Sequence, residues 1–181
     1  QAGHPLIRLL DLKPRWETQA VEWEPSALDS LNHLDYFRHS GWQHCTPATA
    51  RHFSAVGYYF GRMLADSLQI PVGLVCQAVG GAGTEAFIDR RTLEYQFPAL
   101  LRNWRRNDFI QDWARSRAAR NLGVTGKQTE ATRLLRHPYL PSYLFETAIA
   151  PLRAFPIKGV AWYQGESNAH NKEAHDKLFT L

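Results

Sequence analysis

Residues 71–85 read PVGLVCQAVGGAGTE, and the stretch changes character halfway. VGLVCQAV, residues 72–79, is almost wholly apolar, the pattern of a parallel strand covered on both faces rather than the alternation of a half-exposed one. Pro71 starts the element and GGAGT, residues 80–84, empties it into a polar, glycine-bearing turn. The same order recurs near the C-terminus, where the strand-like run IKGVAWY, residues 157–163, enters QGESN at 164–168. PLIRLLDL, residues 5–12, has the leucine and β-branched content of another short strand. Apolar strands separated by helices predict an α/β layer fold.

Residues 13–45 are rich in Trp, His, Pro and charge without a sustained period, and read as a long surface loop with about one helical turn. Thr46-Pro47 is a good N-cap and N1 pair. Phe53, Val56, Phe60, Met63, Leu64 and Leu68 then recur at helical spacing as far as Gln69. Gly57 and Gly61 lie four apart on that helix, where a missing side chain allows close backbone approach. EAFIDRRTLE, residues 85–94, begins either a helix or an irregular excursion, and residues 82–97 are read as a wall of a pocket. Helices are expected near 98–106, 108–120 and 142–153, with Asn121, Gly123 and Gly126 marking the gap after the second, and a closing helix over 169–180.

With 181 residues, 44% apolar and 21% charged, the chain has the composition of one globular domain and not of a disordered one. The formal charge of +4 is mild, and the basic residues at 102–106 and 115–120 are interspersed with aromatic and acidic ones, so a nucleic-acid groove is not expected. Cys45 and Cys76 match no metal-ligand spacing and are read as buried thiols or a single disulfide. No 18-residue apolar run and no signal peptide is visible. The chain opens on a strand-like run and ends within a helix-like one, HNKEAHDKLFTL, so both ends are expected to be cut points in a larger domain.

Ligands of open α/β sheets bind beyond the carboxyl ends of strands, which directs the search to the two glycine-bearing loops, expected to face one pocket. GGAGT lacks both the dinucleotide register and a following Gly-Lys-Ser or Gly-Lys-Thr. It is either a tight turn needing positive φ at Gly80 or Gly81, or a place where backbone N–H groups converge as an oxyanion hole requires. In WYQGESNA, residues 162–169, Gln164 offers an amide donor, Glu166 a carboxylate, Ser167 a hydroxyl and Asn168 a second amide. Gly165-Glu166-Ser167-Asn168-Ala169 approximates a nucleophile elbow without its last glycine. The alternative is that Gln164 donates to an oxyanion while Ser167 and Asn168 hold the loop or cap the next helix. Glu166 either braces a histidine or the loop, or accepts hydrogen bonds at the helix terminus. None of the eight histidines carries a catalytic or metal-binding signature, and His170 and His175, five apart, do not form a metal pair.

The chain resembles the bacterial sialate O-acetylesterase family, within the wider SGNH (GDSL-like) hydrolases. The matching stretches include GWQHCTPATARHFSAVGYYFG, PVGLVCQAVGGAGTEAFIDRRTLE, HPYLPSYLFETAIAPL and above all IKGVAWYQGESNAHNKEAH. The resemblance implies a three-layer α/β/α sandwich around a mostly parallel sheet, and hydrolysis of acetyl esters on sialic acid or other glycans, without metal or cofactor. It places the nucleophilic serine in a Gly-Gln-Ser-Asn segment and the histidine near the C-terminus, and this chain contains neither segment. Residues 1–181 are therefore expected to be an incomplete SGNH-type domain. In it, Gly80 and Gly81 supply a backbone oxyanion donor, Gln164 a side-chain one, and Glu166 a supporting carboxylate. Family members often have Trp where Val79 stands and a tighter Gly-Gly-Thr turn, whereas here Ala82 and Gly83 precede Thr84. Export to the periplasm or outside the cell is also implied. The competing expectations are a non-catalytic carbohydrate-binding relic and an α/β-hydrolase using Ser167.

Overall fold

The computed structural model describes residues 3–19, 21–38, 40–124 and 129–181; Gly126 and His39 lie outside the described residues. In chain order the strands and helices are β1 His4–Asp11, α1 Pro25–Asn32, β2 Gln43–Cys45, α2 Pro47–Ala50, α3 Ala55–Leu68 and β3 Val72–Cys76. They continue with α4 Arg90–Gln96, α5 Pro98–Leu101, α6 Asp112–Asn121, α7 Glu130–Arg133 and α8 Lys172–Phe179. The chain divides into two compact units, Gln1–Lys13 with Phe37–Ala78, and Pro14–Tyr36 with Val79–Leu181.

The first unit holds a three-stranded sheet of order β2-β1-β3. β1 runs parallel to β3, Ile7 opposite Val72 and Asp11 opposite Cys76, and antiparallel to β2 with an irregularity between His4 and Arg8. The expected strands at 5–12 and 72–79 are thus present, the second ending at Cys76, but the sheet is mixed and not mostly parallel. Ile7 and Leu9, two residues apart and so on one face, are buried with Cys45, Ala50, Tyr58 and Ala65. A Cβ on Gly61 would lie 2.6 Å from Leu74 Cδ1, so the bare glycine lets α3 approach β3; Gly57 instead faces its own Phe53 and Ser54.

The helix expected from Pro47 to Gln69 is two helices. Thr46 starts α2 with a capping box through Thr49, and Ser54 starts α3 by accepting from the Gly57 N–H. A second N-cap satisfies a second set of orphan donors and begins a new helix. The two cysteines are not bridged to each other; Cys45 is buried and Cys76 half-buried, with burial raising the Cys76 pKa.

In the second unit helices are short and the core is aromatic. Trp23 stacks on His137 at 5.1 Å between ring centroids, and Tyr36 meets Tyr143 edge-on. Leu93, Leu100 and Leu178 form a separate apolar cluster. The loop expected over 13–45 contains α1, started by Pro25. The helix expected over 98–106 breaks at Asn103, which is left-handed with φ 50°. The helix expected from 108 starts at Asp112, and that over 142–153 is a π-helical turn, Phe145–Ile149, followed by a 3₁₀ turn containing Pro151, which offers no N–H to continue an α-helix. The closing helix starts at Lys172, capped by Asn171.

Residues 157–163 depart furthest from the expected fold. IKGVAWY forms no strand; Ile157 is 62%, Val160 75% and Tyr163 84% exposed. A strand exists only where a neighbour completes its ladder, and among the described residues none pairs with this run.

Candidate active site

Both glycine-bearing loops lie in the second unit. Val79–Ala82 is a β-turn closed by the Ala82 N–H donating to the Val79 carbonyl at 3.2 Å. Gly81 has φ +82° and Gly80 is not left-handed, the signature of a type II turn with glycine at its third position. The place of a Cβ on Gly81 is occupied by the Tyr139 hydroxyl and by Trp113, so conformation and space both demand glycine. The Gly80 carbonyl accepts from Thr18 Oγ1 at 2.7 Å and from the Tyr139 hydroxyl at 2.8 Å. Among the described residues the Gly81 N–H donates to no protein acceptor.

The second loop spends its polar groups inward. Gln164 Nε2 donates to Asn168 Oδ1 at 2.8 Å and to the Ala82 carbonyl at 3.2 Å, while its Oε1 accepts from Thr84 Oγ1 at 2.7 Å. Asn168 Oδ1 also accepts the Thr84 N–H, and its Nδ2 donates to Glu85 Oε2 at 2.8 Å. Flipping either amide would set acceptor against acceptor or donor against donor, so the direction of the chain is fixed. Because Thr84 gives its proton to Gln164, His175 Nε2, 3.0 Å from Thr84 Oγ1, is the donor there.

Glu85 ends this chain fully buried. Burial raises its pKa, opposed chiefly by the Asn168 bond. A Cβ on Gly83 would fall on the Glu85 carboxyl, which explains the extra glycine in GGAGT. Among the described residues Glu166 reaches no histidine: its carboxylate accepts the Gly165 N–H at 3.1 Å and its carbonyl accepts from Gln111 Nε2.

A cavity of about 540 Å³ is lined by Gly80 and Gly81 from one loop and by Glu166 and Ser167 from the other, so the two loops do meet at one pocket. Glu17, Thr18, Gln19, Trp113 and Arg117 complete its wall, with the Arg117 guanidinium 4.8 Å from the centre of the Trp113 ring. Gln164 is not among the lining residues; its side chain is hydrogen-bonded to Thr84, Asn168 and Ala82. Ser167 hydrogen-bonds to no histidine among the described residues and follows no strand, so the surroundings of a nucleophile elbow are lacking. No group of three or more His, Cys, Asp or Glu side chains among the described residues could hold a metal ion. Among them, too, no helix is long and apolar enough to cross a membrane.

Thr18, Tyr139, Thr84, Glu85 and His175 are the contributors that sequence reasoning passed over. Thr84 and Glu85 stand within the glycine-bearing stretch itself, Thr18, Tyr139 and His175 lie in stretches without a signature, and only the fold brings these side chains to their contacts. His137, buried beside Tyr139, accepts the Tyr139 N–H on Nδ1 at 3.0 Å and donates from Nε2 to Asn121 Oδ1 at 3.2 Å. Burial, helped by the Arg105 charge, pushes its pKa down to about 3.

No family model matches the chain. It is distantly homologous to sialate O-acetylesterases, 32% identical over 169 residues to that of Mus musculus and 27% over 187 residues to that of Homo sapiens. These alignments cover 84% and 98% of this chain but only 28% of each relative, so the chain spans little more than a quarter of their length. Its α/β fold is related to that of a carbohydrate acetylesterase from Xanthomonas citri, with a TM-score of 0.54 and 27% identity over 93% of this chain and 27% of the other.

Proposed function

We propose that this chain is part of a carbohydrate O-acetylesterase of the SGNH type, a three-layer α/β/α hydrolase that releases acetate from O-acetylated sialic acid or a related acetylated glycan. The observation that carries the reading is the Gly81 N–H, left without an acceptor on the wall of a cavity shared by both loops. An N–H held in this way stabilises negative charge as it develops on a reacting carbonyl without adding a competing base. The distant homology to sialate O-acetylesterases and to a carbohydrate acetylesterase supports the choice of acetyl ester and sugar.

In this mechanism a serine outside the chain attacks the acetyl carbonyl while its proton passes to a histidine, also outside it. The oxyanion rests on the Gly81 N–H, and the tetrahedral species collapses as the histidine returns the proton to the departing sugar oxygen. Water then attacks the acyl-enzyme, losing its proton through the histidine to the serine, and acetate leaves. Gln164 joins as second donor by exchanging its longer bond, to the Ala82 carbonyl, for the oxyanion. Glu166 holds its loop through the Gly165 N–H. The protein acts in the periplasm or outside the cell.

The test is to treat the whole protein encoded by the reading frame with a serine-directed phosphonate and map the labelled peptide. Labelling outside residues 1–181, together with a fall in kcat of roughly 10²-fold for Gln164→Ala, is the expected result. Labelling on Ser167 would favour a nucleophile-elbow enzyme, and a folded protein that takes no label would favour a non-catalytic carbohydrate-binding module.

A further inference from the structure

We infer that Thr18 and Tyr139 are positioning residues that aim the Gly81 N–H, acting through the carbonyl of Gly80; this rests on the esterase reading above. In a β-turn the central peptide has two accessible settings, types I and II, which differ by a rotation of roughly 150–170° in the two dihedrals flanking it. Most residue pairs choose between them by side-chain sterics. A Gly80-Gly81 pair has no Cβ with which to choose, so neither setting is excluded by its own residues. Something outside the turn must set the direction of its central N–H.

The structure shows what does. The central peptide is trans, so the Gly80 carbonyl and the Gly81 N–H point in opposite directions, and holding one aims the other. A carbonyl oxygen has two lone pairs, and two hydroxyls, Thr18 Oγ1 and the Tyr139 hydroxyl, donate to this one at 2.7 and 2.8 Å. Thr18 and Tyr139 are themselves buried, 6% and 1% exposed, so both hydroxyls arrive from anchored side chains. Tyr139 is also fixed from its backbone, its N–H bonding to His137. The Tyr139 hydroxyl stands where a Cβ on residue 81 would be, so the same atom that holds the peptide requires the glycine. Flipping the turn would turn the Gly80 oxygen away from both donors and the Gly81 N–H away from its present direction.

Thr18→Val and Tyr139→Phe remove one hydroxyl each at nearly constant shape, and Thr18→Ser retains the donor. The measurement is steady-state hydrolysis of 4-nitrophenyl acetate by the whole protein, with the thermal midpoint of each variant alongside. Each single loss is expected to lower kcat roughly tenfold and the double loss about 10²-fold, bounded by the effect of removing an oxyanion donor outright. KM should stay within about twofold, and Thr18→Ser should keep kcat near wild type. A merely structural role would move the thermal midpoint and leave kcat of the folded enzyme alone. An active wild type whose folded variants keep full kcat overturns this inference and leaves the esterase reading intact. A wild type that neither hydrolyses the ester nor takes the phosphonate overturns the esterase reading and this inference with it. Should the double variant fail to fold, Tyr139→Phe alone decides by the same kcat criterion.

Discussion

The loops at 80–85 and 164–168 look alike in sequence, each polar, glycine-bearing and preceded by an apolar run, yet they are held in opposite ways. In the first, the turn closes on its own backbone, remote hydroxyls grip its carbonyl, and its central N–H is left over. In the second, the amides of Gln164 and Asn168 are consumed by hydrogen bonds to Ala82, Thr84 and Glu85. The difference teaches that a donor's availability depends on what else competes for it. Gln164, the more obvious donor by residue type, is committed at rest and reaches an oxyanion only by giving up its Ala82 bond, while the inconspicuous Gly81 amide is free.

The largest test of this contrast is Asn168→Ala. It strands the Thr84 N–H, a Gln164 N–H and the Glu85 carboxyl inside the protein, and the expected loss is about 3 kcal/mol or more, at roughly 1–3 kcal/mol per buried group left unsatisfied. Urea unfolding measures it, and a loss below about 1 kcal/mol would show that water replaces the partners and that the second loop is not internally committed.

Gly81→Ala comes next, at about 2 kcal/mol, because it places a side chain at φ +82° and into Tyr139 and Trp113. The thermal midpoint should fall by several degrees.

pH probes the support behind the first loop, since His137 must stay neutral to accept the Tyr139 N–H. Its folded pKa, about 3, lies below the unfolded value of 6.5, so between these limits the unfolded chain binds the extra proton and stability falls as pH drops. At pH 5.5 the loss relative to pH 7 is about 1.3 kcal/mol, and His137→Gln should remove it. Glu85, with its pKa raised, acts in the opposite sense: its contribution is present below the unfolded carboxyl value and lost as pH rises through the folded one. Comparing wild type with His137→Gln at each pH isolates the histidine; equal slopes would dismiss it.

The smallest effect is expected at Gly165→Ala. Gly165, with φ 168°, lies outside the left-handed region, and the nearest atom to an added Cβ is His175 Cε1 at 3.8 Å, so the change should stay within about 0.5 kcal/mol. A loss as large as that of Gly81→Ala would erase the distinction between the loops.

Sequence alone determined what local chemistry can determine. The strands at 5–12 and 72–76 follow from apolar runs, the start of α2 from Thr46-Pro47, the close approach of α3 from Gly61, and the turn at Gly80-Gly81 from its need for a left-handed residue. It also marked both loops as the place to look. The single helix expected over 47–69 failed because apolar spacing persists across Ser54, where a second cap restarts the helix. The strand expected at 157–163 failed because apolar content shows that a segment suits a sheet without supplying the partner that makes it one. Only tertiary structure decided which donors are free. It brought Thr18 and Tyr139, 62 and 59 positions away, to the Gly80 carbonyl and turned the Gln164 amide inward, because hydrogen-bond partners are assigned by proximity in space and residue type fixes only what each could donate or accept.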